Sequence, residues 1–395
     1  MNTVGFIFAA VGLLILAGYI YLNYPKAWRK NPVFNIISIA FHLVGTVALF
    51  LILVCYKNIP FEWMKIAVSR AGAIYYVVVL YMAILCTFRH VIRFIYIATK
   101  RVFRRPFSKR DLRMIFDHRV HSVVFLVLSF LVAIYGFINV GILHITKYDV
   151  HISKECDLDE LNIVFIADTH CGAGTWAKTY DKLAEDINSC NPDVVLIGGD
   201  VFDETTSEKD VENMRGVIEK IHPEMGVYFI YGNHDDSTDD WAEKTMESMG
   251  VTVLKDEMVV LGKDGVIEDG AEDAAGVQLI GRLDPMENPL GLKELMNKLQ
   301  PDQTEPIIML NHRPEHFQEM TGLGVDLAMS GHTHGFNIPQ FAGRNLAYDM
   351  YYGFRDYDGM KAITTSGVSV WGFHYRFPSK SEVVNIHVTF DDKND

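Results

Sequence analysis

Five short motifs in the second half of the chain carry side chains able to grip metal ions. They are Asp168-x-His170, Gly199-Asp200-x-x-Asp203, Gly232-Asn233-His234-Asp235, the single His312, and Gly331-His332-x-His334. Mixed imidazole and oxygen donors favour Mn, Fe or Zn over Ca or Mg. Asp168, His170, Asp200, Asn233, His312, His332 and His334 are more ligands than one tetrahedral ion can use. Two ions about 3.5–4 Å apart, bridged by Asp200, would employ all of them and clamp a phosphoryl group from both sides. In an extended segment positions i and i+2 point the same way, so Asp168 with His170, and His332 with His334, are each expected to converge on one ion. On a helix the second pair would diverge by roughly 200°. A glycine precedes Asp200, Asn233 and His332, permitting the tight turns that such a cage needs.

Each motif follows a short apolar run: NIVFI before Asp168, DVVLI before Gly199, GVYFI before Gly232, PIIML before His312 and DLAM before Gly331. Runs of Val, Ile, Leu and Phe without alternation are what strands covered on both faces look like. Helical stretches at Thr179 to Asn188 and Lys209 to Ile221 lie between them, whereas Thr252 to Leu261 and Val383 to Phe390 read as antiparallel strands. The fold class is therefore α/β, with sheets in the middle and helices outside. The clusters sit just past the carboxyl ends of strands, where such sheets form their ligand crevices.

The five motifs together resemble the complete signature of the calcineurin-like metallophosphoesterases, over about residues 150 to 390. A four-span region ahead of the domain further resembles membrane-anchored members of that family. The resemblance implies a four-layer double β-sandwich flanked by helices. It implies one metal on Asp168, His170, Asp200 and His334, and a second on Asp200, Asn233, His312 and His332. It also implies phosphoester hydrolysis by metal-activated hydroxide, His234 facing the leaving oxygen, and Asp203 accepting a hydrogen bond from that imidazole. Where relatives commonly read GHTHGGQ this chain reads GHTHGFN, placing Phe336 and Asn337 at the rim. Phe336 either shapes a substrate pocket or packs. Cys171, beside His170, is either a redox target or a small buried residue.

The first 146 residues are a different body. The whole chain has 36 Lys+Arg against 49 Asp+Glu, a formal charge of −13, with 49% hydrophobic residues. Residues 1–146 hold 16 basic and 3 acidic side chains, and residues 147–395 hold 20 and 46. This usage excludes disorder, collagen and a disulfide miniprotein, and no global basic footprint for nucleic acid exists. Uncharged runs at about 4–22, 32–56, 71–88 and 122–143 are each long enough to span a hydrocarbon core. The expected organisation is a four-helix transmembrane region over 1–146 and a catalytic domain over 147–395. A signal peptide fits residues 4–22 poorly, since no basic n-region precedes them.

Basic residues crowd the loop at Lys26 to Lys30 and the loop at Arg89 to Arg119, which belong on the cytoplasmic side. Both termini and the acidic domain are then expected outside the cytoplasm, at the plasma membrane. The expected partners are membrane lipids and a phosphoester, lipid-linked or on the cell surface. A UDP-diacylglucosamine-type pyrophosphate hydrolase would need the opposite topology. A tethered metal sensor without turnover is the alternative of another class. Segment 89–105 reads as either an interfacial helix or an extension of the third span, and His42 as an interhelical hydrogen-bonding residue. The cysteines lack disulfide or CxxC spacing. The acidic loop Lys263 to Asp273 lacks calcium-ligand spacing. The run Trp371 to Ser379 either faces head groups or packs the final strands.

Overall fold

The structure is a computed structural model that describes residues 3–56, 59–111, 118–172, 174–175, 177–235, 240–263, 265–267, 276–337, 348–372 and 374–391. The chain forms two compact units, Met1–Ile138 with Phe373–Tyr375, and Asn139–Gly372 with Arg376–Asp395.

The first unit is built on four apolar helices, α1 (Thr3–Asn23), α2 (Pro32–Cys55), α3 (Glu62–Val102) and α4 (Arg119–Asn139). Pro32–Ile52, Trp63–Val102 and Arg119–Asn139 are each long and apolar enough to cross a membrane, and Val11–Asn23 is a shorter apolar stretch. Asn31 caps α2 by accepting from the Val33 N–H at 2.9 Å, and Pro32 at the first position gives up a donor that would be orphaned there anyway. His42 meets the Tyr75 hydroxyl at 3.1 Å, joining α2 to α3 by the interhelical bond its isolation suggested. At 41 residues α3 runs about 60 Å, roughly twice a hydrocarbon core. Segment 89–102 is thus a continuation of the third helix and not a separate interfacial one. Residues 112–117 of the following basic loop lie outside the described residues.

The second unit contains thirteen strands among the described residues. In chain order they are β1 (Leu143–Glu155), β2 (Glu160–Ile166), β3 (Val194–Ile197), β4 (Val227–Phe229), β5 (Thr252–Val253), β6 (Glu257–Gly262), β7 (Gly265–Ile267), β8 (Val277–Gly281), β9 (Ile307–Leu310), β10 (Leu327–Ser330), β11 (Gly353–Tyr357), β12 (Met360–Thr364) and β13 (Ser381–Asp391). One sheet has the order β1-β13-β2-β3-β4-β5 and the other β11-β12-β10-β9-β8-β6-β7. The motif-bearing strands β2, β3 and β4 run parallel in the first sheet, and β9 and β10 run parallel in the second.

Alternate residues of each buried strand serve two cores, which is why the runs lack a polar face. Ile163, Phe165, Leu196 and Tyr228 meet Leu279, Ile308, Leu310 and Met329 between the sheets. Val164, Ile166, Val195, Ile197 and Phe229 face the other way, onto α5 (Ala177–Ser189), α6 (Glu208–Ile218) and α7 (Trp241–Glu247) through Leu183, Met214 and Met246. Ile307, Met309 and Ala328 pack on α8 (Leu292–Leu299) and α9 (Phe317–Gly322) through Leu295 and Phe317. The result is helix, sheet, sheet, helix, the four-layer α/β arrangement expected.

Two details differ from the sequence reading, and a third decides between alternatives it left open. The segment 252–261 is not one strand: β5 pairs parallel with β4, the chain crosses at 254–256, and β6 pairs antiparallel with β8 in the other sheet. The crossing is made by buried Leu254 and by Asp256, whose φ of 54° turns the backbone. The fourth helix ends at Asn139, and β1 follows at once, pairing parallel with β13 along its length. Finally, Arg376 of the run Trp371 to Ser379 is fully buried and donates to the carbonyls of Ser366 (2.8 Å), Ser369 and Lys380. This residue ties the final loop together, and burial lowers its pKa to about 10. The acidic loop around Lys263 to Asp273 lies largely outside the described residues.

Replacing Arg376 with Met would take one donor from each of three carbonyls; Ser369 O keeps His334 Nδ1 and Lys380 O keeps Ser366 Oγ, while Ser366 O loses the partner described for it. We expect a loss of about 1–3 kcal/mol, the cost of one unmatched buried group, read as a lower denaturation midpoint of the full chain. An unchanged midpoint would contradict this role.

Candidate metal centre

All five motifs leave their strands at one end of the two sheets and converge. Asp168 and His170 follow β2, Asp200 follows β3, Asn233 and His234 follow β4, His312 follows β9, and His332 and His334 follow β10. Asp168, His170 and His334 bring one ligand atom each within 4.8 Å of one another, and Asp200, His312 and His332 do the same. Asp200 Oδ2 lies 3.6 Å from His170 Nε2 and 3.3 Å from His312 Nε2, between the two groups.

The convergence is not achieved by extended chain, as the i, i+2 spacing suggested. Asp168, His170, Asp200, His332 and His334 have φ values of 52°, 43°, 53°, 69° and 51°, all left-handed. Such a conformation is uncommon for non-glycine residues and costs about 1 kcal/mol or more each, so the surrounding bonds must hold it. Asp235 supplies much of that hold. Its buried carboxylate accepts from the backbone N–H groups of Asp200 (2.5 Å), Phe202 (2.9 Å) and Gly232 (3.0 Å), strapping the β3 and β4 loops together. Burial, then the charge of Asp200, raises the Asp235 pKa to about 7. Asp168 accepts from the His332 N–H at 2.9 Å, and Asp200 from the His234 N–H at 2.8 Å. Gly331 is required because a Cβ there would come within 2.5 Å of Asp168 Oδ2.

Each ligand imidazole is held from outside the cluster. A carbonyl only accepts, so His312 donates Nδ1–H to Gly198 O at 2.8 Å and turns Nε2 inward. His334 Nδ1 faces Ser369 O at 3.3 Å in the same way. His332 is reversed: Nε2 meets the Tyr348 hydroxyl at 2.7 Å and Nδ1 points inward, 3.2 Å from His312 Nε2. His170 Nδ1 lies 3.5 Å from Asp203 Oδ2. Outer partners of this type fix the tautomer and ring plane of metal-ligating histidines.

The residues fit a pair of cations. His170 Nε2, Asp200 Oδ2 and Asn233 Oδ1 are buried without a hydrogen-bond partner among the described residues, and all three are donor atoms suited to Mn, Fe or Zn. Without a cation the cluster balances its charge with protons. Burial raises the Asp168 pKa, and although burial opposes a charged His312 ring, Asp200 lifts its pKa to about 10.

One of the expected roles is redistributed. Asp203 does not face His234; its Oδ2 lies toward His170, and its Oδ1 accepts from Thr205 N at 2.7 Å and Thr205 Oγ1 at 2.6 Å. The carboxylate beside His234 is the next residue, Glu204, whose Oε2 lies 3.3 Å from His234 Nδ1. Trp371 Nε1 donates to Glu204 Oε1 at 3.1 Å and its ring lies 5.2 Å from that of His234. A one-residue rotation along the turn after β3 thus exchanges the two acids, which spacing alone could not disclose. Cys171 is fully buried with its thiol pKa raised by burial, an inert small residue. Asn337 is buried and accepts from Phe377 N at 2.8 Å, so it packs, while Phe336 is 42% exposed.

This geometry defines a layered α/β unit with a candidate binuclear centre at its strand ends. Residues 161–336 match the family model for calcineurin-like phosphoesterase, and the chain therefore carries a domain of that family. It is 28% identical over 278 residues to the transmembrane protein with metallophosphoesterase domain of Danio rerio, covering 67% of this chain and 62% of that protein. An uncharacterized metallophosphoesterase of Helicobacter pylori is 26% identical over 238 residues, covering 58% of this chain and 60% of the relative. The Bos taurus transmembrane protein with metallophosphoesterase domain is 26% identical over 243 residues, covering 58% and 53%. The chain spans about three fifths of the length of these curated relatives.

Two outcomes test the site. Because a cation must displace the proton on His312, Mn affinity should rise with pH, and saturating Mn should raise the melting temperature of the metal-free chain; 100-fold excess over Kd corresponds to about 2.7 kcal/mol. A melting temperature indifferent to Mn would contradict the assignment. Glu204→Gln should leave bound metal unchanged while lowering turnover by about 10–100-fold, with Asp203→Asn weakening metal retention instead. The reverse pattern would restore the original roles.

Proposed function

We propose that this chain is a membrane-anchored phosphoesterase that hydrolyses phosphate ester or pyrophosphate bonds, with two divalent ions held by Asp168, His170, Asp200 and His334 and by Asp200, Asn233, His312 and His332. The observation that carries this reading is the placement of Asp200 Oδ2 between His170 and His312, the position of a bridging ligand. Such ions, when bound, supply a water acidified towards a pKa of about 7 and a positive clamp on the phosphoryl oxygens.

The protein's own groups do the remaining work. The buried strand ends exclude bulk water from the carboxylates, and the backbone bonds to Asp168 and Asp200 hold them against mutual repulsion. His234 has Nδ1 toward Glu204, which leaves Nε2 to donate a proton or hydrogen bond to a leaving oxygen. Burial disfavours its charged form, but Glu204, Asp200 and Asp203 outweigh that and raise its pKa, keeping the ring in the donating state. In a unit with 46 acidic and 20 basic residues from 147 onward, the positive potential for an anionic ester has to be local to this site.

The anchor helices support a substrate at the membrane, lipid-linked or on the cell surface. The basic residues in the segments Lys26 to Lys30 and Arg89 to Arg119 support placement of the domain on the extracytoplasmic side. A UDP-diacylglucosamine-type pyrophosphate hydrolysis would demand the opposite side.

The full chain in detergent with Mn should hydrolyse aryl phosphomonoesters or diesters. Asp200→Asn should lower the rate by more than about 100-fold. Equal rates for both proteins would leave a metal-binding sensor as the reading. His234→Ala should cost about 100–10,000-fold in turnover with metal content retained; loss of metal would make His234 a ligand. Protease added to intact cells should cleave the domain if it lies outside, and protection would reverse the topology.

A further inference from the structure

Glu204 alone is a weak holder of His234. Its side chain is 57% exposed, and an exposed carboxylate gains little from an ion pair and can swing out to water. Trp371, which lies outside the residues 161–336 that match the family model, supplies the missing restraint. Its indole Nε1–H donates to both oxygens of Glu204, at 3.1 and 3.3 Å, and its ring lies 5.2 Å from the His234 ring with the planes 31° apart. The His170 ring meets His234 at 5.2 Å and 77°, so the imidazole is bounded by two rings and one carboxylate.

The indole is carried on a firm mount. Trp371 lies between β12 and β13, and the residues just before it are stitched to the end of β2. Val368 N–H donates to Ala167 O at 2.9 Å and Ser369 N–H to Asp168 O at 3.0 Å. Ser369 Oγ donates to Gly174 O at 3.2 Å, and Val370 is fully buried. Trp371 is therefore fixed to the same strand end that carries Asp168 and His170. A side chain whose backbone is held in this way can set the rotamer of its neighbour.

We propose that Trp371 is a positioning residue for His234: by pinning the Glu204 carboxylate and flanking the imidazole, it keeps Nε2–H aimed at the leaving oxygen. The role rests on the phosphoesterase reading above and adds no chemical step to it. As the P–O bond breaks, its electron pair goes to the leaving oxygen and the Nε2 proton follows, leaving a neutral His234 beside Glu204. Aim matters most where the leaving oxygen is strongly basic, because there the transferred proton lowers the barrier most.

The test compares the 4-nitrophenyl and phenyl esters of one phosphate, with the full chain in detergent loaded with Mn. Trp371→Leu should lower kcat about tenfold more on the phenyl ester, whose leaving oxygen is the more basic, than on the 4-nitrophenyl ester. KM and bound Mn should stay at the parent values. Trp371→Phe keeps a ring beside the imidazole and gives up the donor to Glu204, so it should show the same bias with less disturbance of packing. In a His234→Ala background Trp371→Leu should change neither rate, because a residue that acts through His234 has nothing left to position. Equal losses on the two esters, a loss of bound Mn, a rise in KM at constant kcat, or a further fall in the His234→Ala background would each overturn the role of Trp371 while the hydrolase reading stands. No Mn-dependent hydrolysis by the parent chain would overturn both.

Discussion

The structure turns on the burial of two carboxylates within reach of four imidazoles. Asp168 and Asp200 are essentially inaccessible to solvent, as are His170, His312 and His334. Charges taken out of water are costly unless they are paired or coordinate metals. Nearly every other feature of the domain answers that cost. The backbone N–H groups of His332 and His234 donate to the two aspartates, Asp235 straps the loops that carry them, and carbonyls of Gly198 and Ser369 fix the outward nitrogens of His312 and His334. Left-handed backbone at five of the ligands is the strain left over, held in place by these bonds.

The layered fold supplies the stiffness. Strands β2, β3, β4, β9 and β10 are covered on both faces by separate cores, so their ends cannot shift without disturbing packing on two sides. The first residues past each strand end then set the positions of the ligands. Such a scaffold can hold donors within tenths of an ångström of a productive geometry, which a site made of long loops cannot.

Much of this was legible in the sequence because one physical rule wrote it. Strands buried on both faces read as unbroken apolar runs, and the polar clusters after them mark the sheet end where ligands gather. Asp168, His170, Asp200, Asn233, His312, His332 and His334 were visible for that reason. The manner of their convergence was not, since left-handed φ values at aspartate and histidine leave no trace in residue type. The exchange of Asp203 and Glu204 was hidden for a similar reason: adjacent acids on one turn differ only in rotation. The continuation of α3 past Arg89 was one of two readings the sequence left open, because the arginines that begin there break the hydrophobic run without breaking the helix. β1 alternates apolar and polar residues, but it follows directly on an apolar helix whose end its first residues appeared to extend.

The central claim is that Asp200 bridges two cations. Anomalous diffraction from crystals of the Mn-loaded full chain tests it most directly. The account predicts two Mn peaks about 3.5–4 Å apart, one on each side of the Asp200 carboxylate. A single peak, or two peaks that do not share Asp200, would contradict it.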